Sequence, residues 1–332
     1  MKVKIIEDAK VICSNRNSIH NYFAWPTVTK LQDGTLAMVA SGFRMRHICP
    51  FGKGIICYSR DEGKTWSRPE ILIDTPLDDR DCGILAYGEK NVIVTSFNDT
   101  IEVQRHCAKE HEKLNWKNWQ TDNPYIDAYL NTIEAQGLED KYIGSTYVLS
   151  NDGGYTFGDV RYCNVSTPHG PAVLNDGRLI YVGRTWNKKL AKSWPPINDE
   201  SDRIECHIMN ENGDFEFVSV IDDIFADGER MLSCEPHTIV LPNGKIIVHI
   251  RVQSYTGGNN MCIFQCESCD NGKTFTKPHQ ITEFKEGGPS YILRCSDGTL
   301  ITTYGHRFDP CGIRVMISRD DGESWETGIK LY

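Results

Sequence analysis

One eight-residue pattern, Ser-x-Asp-x-Gly-x-Thr/Ser-aromatic, recurs four times and restricts the fold more than any other feature of the chain. It reads SRDEGKTW at 59–66, SNDGGYTF at 150–157, SCDNGKTF at 268–275 and SRDDGESW at 318–325. Each residue type has a task in a hairpin turn. The Asp side chain accepts backbone N–H groups, the Gly supplies a positive φ, and the aromatic packs beneath the turn. A worn fifth copy lies at 209–216, between the second and third.

A second pattern precedes these turns: an alternating strand, a tight turn, then a more apolar strand. It is seen in PTVTKLQDGTLAMVASGFR, GPAVLNDGRLIYVGR, EPHTIVLPNGKIIVHIR and GPSYILRCSDGTLITTYGHR, and more loosely in DCGILAYGEKNVIVTSF. Strand, turn, strand, strand, aspartate turn, strand is one blade of a β-propeller. Five such units begin near residues 22, 78, 166, 233 and 287, so the chain is expected to be all-β and to fold as a single propeller domain over 1–332. The rhythm breaks between about 100 and 142, where EVQRHCAKEHEKL and YIDAYLNTIEAQGLED predict a helical insert within the second blade. Three roles are open for it: a lid, a homo-oligomer contact, or a solvated decoration.

A formal charge of −9 argues against a nucleic-acid or acidic-membrane surface, which needs clustered Lys and Arg. The N-terminal run MKVKIIEDAKVICSN has no apolar core with a cleavage site, and no stretch is apolar enough to span a bilayer, so a cytoplasmic protein is expected. Thirteen scattered cysteines fit reduced thiols. Cys262, Cys266 and Cys269 are read as strand and turn residues and not as a zinc site, since no fourth ligand stands at the right spacing. No phosphate-cradling loop, dinucleotide fingerprint or metal-binding helix motif occurs, so neither cofactor nor metal is expected.

In a propeller the innermost strands start at one face, and the residues opening each blade are the default pocket. These are Asn21, Tyr22 and Trp25 in the first unit, Asp78, Asp79, Arg80 and Asp81 in the second, and His169 in the third. The fourth contributes Glu235 and His237, and the fifth Ser290 and Tyr291. After the turn glycines Gly34, Gly177, Gly244 and Gly298, the next strand ends in Arg44, Arg184, Arg251 and Arg307, at offsets of ten, seven, seven and nine residues. Such arginines suit bidentate contact with a carboxylate, sulfate or phosphate. They equally suit strand ends paired with acids of the turns. Asp79, Asp81, His169, Glu235 and His237 are the acid–base candidates; Arg80, Tyr22, Trp25 and Tyr291 join the four arginines as ligand contacts. The Asp-Asp-Arg-Asp run also reads as a solvated loop with an internal ion pair, and the two histidines as structural groups bonded between blades.

The repeated turns resemble the Asp boxes of the sialidase, or BNR-repeat, superfamily over essentially the whole chain. That likeness implies a propeller of usually six blades; five are visible here, and strands around residues 3–12 would complete a sixth. It further implies that Glu235 and Arg251 correspond to a glutamate and one arginine of a carboxylate-binding triad, with Arg307 or Arg314 as a later member. Where the family has its first arginine this chain reads Tyr22-Phe-Ala24-Trp-Pro26, and RHICPFGKG lacks the expected aspartate. The chain also ends before a sixth unit would bring the usual tyrosine and its glutamate. The resemblance therefore implies an exo-acting glycosidase for a terminal, acidic sugar of a small glycoside, with an incomplete sialidase set. Two alternatives stand beside it: a lyase on a uronate glycoside, using His169 with Tyr291 or Tyr304, and a non-catalytic platform for a carbohydrate or protein, where Trp186 would join the aromatic contacts.

Overall fold

The structure, a computed structural model, describes residues 9–186, 190, 196–256 and 261–331. These form five blade sheets, four of them four-stranded antiparallel meanders and the third five-stranded because its innermost strand is broken, beside a two-stranded ribbon of Phe225–Ala226 and Glu229–Arg230. The fold is an all-β propeller of five blades, with an insert of three helices in the second. Residues 9–12 contain no strand, and residues 3–8, the rest of the segment considered for a sixth blade, lie outside those described. The described residues pack as two compact units.

One unit, Lys10–Asn164 with Trp186–Pro195, holds the first two sheets. The first is Tyr22–Lys30, Leu36–Arg44, Lys53–Ser59 and Glu70–Ile73; the second is Asp78–Tyr87, Asn91–Asp99, Ser145–Ser150 and Arg161–Cys163. Alternation along these strands buries Val39, Ile56, Ile73, Ile84, Val92, Val94 and Val148 in one core. Between the second and third strands of the second sheet rise α1 (Ile101–Lys113), α2 (Trp119–Ala135) and α3 (Leu138–Tyr142), at the place the sequence predicts. Thr100 caps α1 by accepting from Val103 N, as a hydroxyl ahead of a helix should. Ile126, Leu130 and Ile133, spaced for one helical face, seat α2 over Leu77 and Ile101. The Asn98 amide ties the insert's exit to the sheet, donating to Tyr142 O at 2.8 Å and accepting from Gly144 N at 2.9 Å.

The other unit includes Val165–Thr185 and the chain from Pro196 onward, and holds the remaining three blade sheets. The innermost strand of the third is broken: Val165–Ser166 and Ala172–Val173 both pair with Leu179–Thr185, leaving 167–171 to loop between them, before Ile204–Met209 and Phe215–Ile221 complete the sheet. The fourth is Leu232–Val240, Ile246–Gln253, Cys262–Ser268 and His279–Gln280; the fifth is Ser290–Arg294, Leu300–His306, Gly312–Ser318 and Glu326–Lys330. Cys262 and Cys266 lie in the strand core with Val248 and Ile250, whereas Cys269 is exposed.

The four aspartate turns share one bonding scheme. In the fourth sheet Asp270 accepts from Ser268 Oγ at 2.8 Å, Thr274 N at 3.0 Å and Thr274 Oγ1 at 2.7 Å, while Gly272 N donates to Ser268 Oγ. Asp61, Asp152 and Asp320 repeat it. Gly272 has φ +79°, and a Cβ there would press to 2.8 Å from Cys206 Sγ, so the turn needs glycine on both counts. The worn copy folds alike with a shorter arm: Asn210 Oδ1 accepts from Asn212 N and Asp214 N.

Candidate functional site

Sheet geometry first decides where the candidate side chains point. In three blades the innermost strand is bulged at one register position, two residues before pairing resumes at Thr27, Gly83 and His237. The residues there are Trp25, Asp81 and Glu235, with φ +55°, +51° and +49°. Left-handed backbone is unusual for Trp and Glu, and bulges commonly re-aim a side chain, so these three side chains leave the regular alternation of their strands.

In the unit of the third to fifth sheets, Glu235 forms an ion pair with Arg251, which stands nearly opposite on the neighbouring strand. Burial pushes the Glu235 carboxyl up, but Arg251, His169 and Arg307 outweigh it and hold the carboxyl below its ordinary value. Arg251 also donates to Gln253 Oε1 at 2.5 Å. Arg307 lies one residue past its strand, is exposed, and makes no ion pair among the described residues. Three rings gather beside them. His237 stacks on Tyr291 with centroids 4.1 Å apart, and His169 meets His237 edge-on at 5.1 Å and Tyr291 at 5.8 Å. His237 Nδ1 accepts from Ile292 N at 2.9 Å, so its proton sits on Nε2. His169 Nε2 is buried without a hydrogen-bond partner, and burial takes its pKa down to about 4, leaving a neutral imidazole at pH 7. Burial raises the Tyr291 phenol, which stays protonated. Tyr304 is 2% exposed, and burial with the nearby Glu286 charge pushes it up to about 12.

Arg184 is a structural cation. Its Nε and Nη2 meet the two oxygens of Asp202 at 2.5 and 2.7 Å, and Asp202 also accepts from the Tyr255 hydroxyl at 3.0 Å. A bidentate pair so occupied offers an incoming anion no open fork.

In the unit of the first two sheets, the Asp-Asp-Arg-Asp run is a strand and is buried, which corrects the reading of it as a solvated loop. Arg80 Nη1 donates to Asp99 at 3.0 Å, and its Nε lies 3.5 Å from Asp81. Burial opposes the Arg80 charge, yet Asp81, Asp99 and Asp78 together hold the guanidinium firmly protonated. Asp79 is turned inward at 0% exposure, accepting from Thr75 N at 2.5 Å and Thr75 Oγ1 at 2.8 Å; burial carries its pKa up to about 7. Its partner is thus Thr75, and it is a structural acid, not one of an exposed pair. Arg44 is corrected too. It is 0% exposed, pairs with Asp78 at 2.5 Å, and donates to Ser41 Oγ, Asp79 O, Arg46 O and His47 O, so it has nothing left for a ligand. Trp25 lies between the two guanidiniums, its ring 5.2 Å from Arg44 Cζ and 5.0 Å from Arg80 Cζ, with Tyr22 6.0 Å away at the exposed end. Trp186, half-buried, packs edge-on to Phe97 and donates to Asn98 O at 3.2 Å.

Sequence reasoning missed Asp99 and Asp202, and it placed Asp78 at a blade opening without its partner Arg44. Asp99 had a signal: aligning VTSFND with VASGFR puts it where the first blade has Arg44. Asp202 had none, because its pairing with Arg184 arises from a loop outside the repeat.

No protein-family model and no curated protein sequence matches the chain. Solved structures do. A protein of unknown function from Dyadobacter fermentans superposes with a TM-score of 0.68 at 20% identity, covering 97% of this chain and 85% of its own. The NanB sialidase of Streptococcus pneumoniae gives 0.63 at 13% identity, with 99% of this chain covering 64% of that one. The α-L-arabinanase of Penicillium chrysogenum gives 0.58 at 16%, over 92% and 81%. The chain therefore has the propeller fold found in sialidases and arabinanases.

Proposed function

We propose that this protein is a glycoside hydrolase that releases a terminal, acidic sugar from a small glycoside, with Glu235, Arg251 and Arg307 at the centre of its site. The observation that carries the reading is an ionised glutamate tied to one arginine, with a second, exposed arginine contributing to its field. Hydrolysis adds water across the glycosidic C–O bond: a base takes a proton from water as its oxygen joins the anomeric carbon, and an acid protonates the departing oxygen. Glu235, held ionised, is suited to be the base. Tyr291 keeps its proton and is suited to be the donor. Arg307 meets the sugar's own carboxylate, since it makes no ion pair among the described residues.

The experiment is proton NMR of the protein with sialyl, uronyl and neutral glycosides. A single acidic sugar should be released; Glu235→Gln should lower the rate at least a hundredfold, and Arg307→Ala should raise KM for that substrate about tenfold. Near-normal turnover in Glu235→Gln would sink the assignment.

Elimination is the second reading, favoured by the neutral His169 with its unpartnered Nε2. Here His169 takes the C5 proton of a uronate, the electrons of that C–H bond form a C4–C5 double bond as the C4–O bond breaks, and the departing oxygen takes a proton from Tyr291. Only this route yields an unsaturated product absorbing in the near ultraviolet and no free saturated uronic acid.

A further inference from the structure

A cavity of 230 Å3 lies between the α1–α2 turn and the end of the first sheet's second strand, walled by Arg46, His111, Trp116, Lys117, Trp119 and Asp122. It shares no residue with the Glu235 cluster, and the proposed hydrolysis makes no use of it.

Its chemistry is specific. Arg46 is 6% exposed; Nη1 donates to Asn123 Oδ1 at 2.6 Å and Nε to Ile48 O at 3.2 Å, but buried Nη2 has no acceptor. Leaving a buried charged donor unmet is expensive, and a fork with one open arm is the geometry that takes a carboxylate oxygen. His111 Nδ1 is a second buried polar atom without a partner, and burial together with the Arg46 charge lowers this imidazole's pKa, so it is neutral. With Arg46 and Lys117 against Asp122, the wall carries one net positive charge at neutral pH.

Shape narrows the ligand further. His111 stacks on Trp116 at 5.2 Å and 25°, and Trp116 remains 55% exposed, presenting an indole face. The turn bearing these rings is built deliberately: Asn115 and Asn118 have φ +46° and +65°, and Asn115 Oδ1 accepts from Trp119 Nε1 at 3.1 Å. Drug-sized pockets start near about 300 Å3, so the occupant is smaller.

We infer that this cavity binds a compact monocarboxylate with one flat face, its carboxylate on Arg46 Nη2 and its face on the Trp116 indole. The test labels the full chain with 5-fluorotryptophan and follows the 19F signals of Trp116 and Trp119, assigned by Trp→Phe variants, during titration with benzoate and with its neutral isostere benzamide. Benzoate should shift both signals saturably and bind at least tenfold more tightly than benzamide. Arg46→Gln should abolish the preference, and Lys117→Gln, at an exposed position, should weaken benzoate two- to threefold. Equal effects of the two probes on the wild-type protein, or no movement of either signal with benzoate, would overturn the proposal even if Arg46→Gln fails to fold.

Discussion

At the scale of single residues, charges that look like ligand contacts divide into spent and unspent. Arg44 is spent: it is wholly buried and paired with wholly buried Asp78. Arg44→Ala leaves that carboxylate with only the more distant Arg80, 3.9 Å away, and should destabilise the protein by about 3 kcal/mol, measured by urea unfolding. Arg307, which is unspent, should tolerate replacement with little change in stability. Asp79 gives a pH signature. Its folded pKa of about 7 exceeds the unfolded value near about 4, so the folded state holds an extra proton between them. That contribution is complete below the unfolded value and is lost as pH rises through the folded one. Unfolding free energy should fall by roughly 2–3 kcal/mol from pH 5 to 8, and Asp79→Asn should flatten the decline. An unchanged slope in that variant would contradict the assignment.

At the scale of elements, the aspartate turns are small closed units whose bonds are local. Hydroxyl and backbone donors hold Asp61, Asp270 and Asp320 down to about 2. Because these pKa values are depressed, their contribution is present above the unfolded value and disappears as pH falls toward 2. Asp270→Ala should lower the melting temperature by a few degrees at pH 7, and the gap to the wild type should close in acid. The same locality made the turns and strands legible in the sequence: spacing alone located five blades and the helical insert. Side-chain destinations were less legible. Nothing local distinguishes Arg44, which turns into a buried pair, from Arg251, which reaches the bulged Glu235. Nor does the run Asp78 to Asp81 reveal that Thr75 claims one of its acids.

At the scale of the whole molecule, the chain builds similar sheets and varies what they carry. The last residues of the second strands, at differing registers, carry arginine in most blades and Asp99 in the second, and the bulge holds Trp25, Asp81 or Glu235. Turns, core alternation and register are specified by residues that never meet these positions in the repeat pattern. A new ligand preference can then arise by exchange at the bulges while the instructions for folding remain untouched. Recognition and foldability are thus written partly on separate codons: the turns keep their own sequence whatever the bulge carries, whereas a strand-end residue such as Arg44 serves the fold and cannot drift freely.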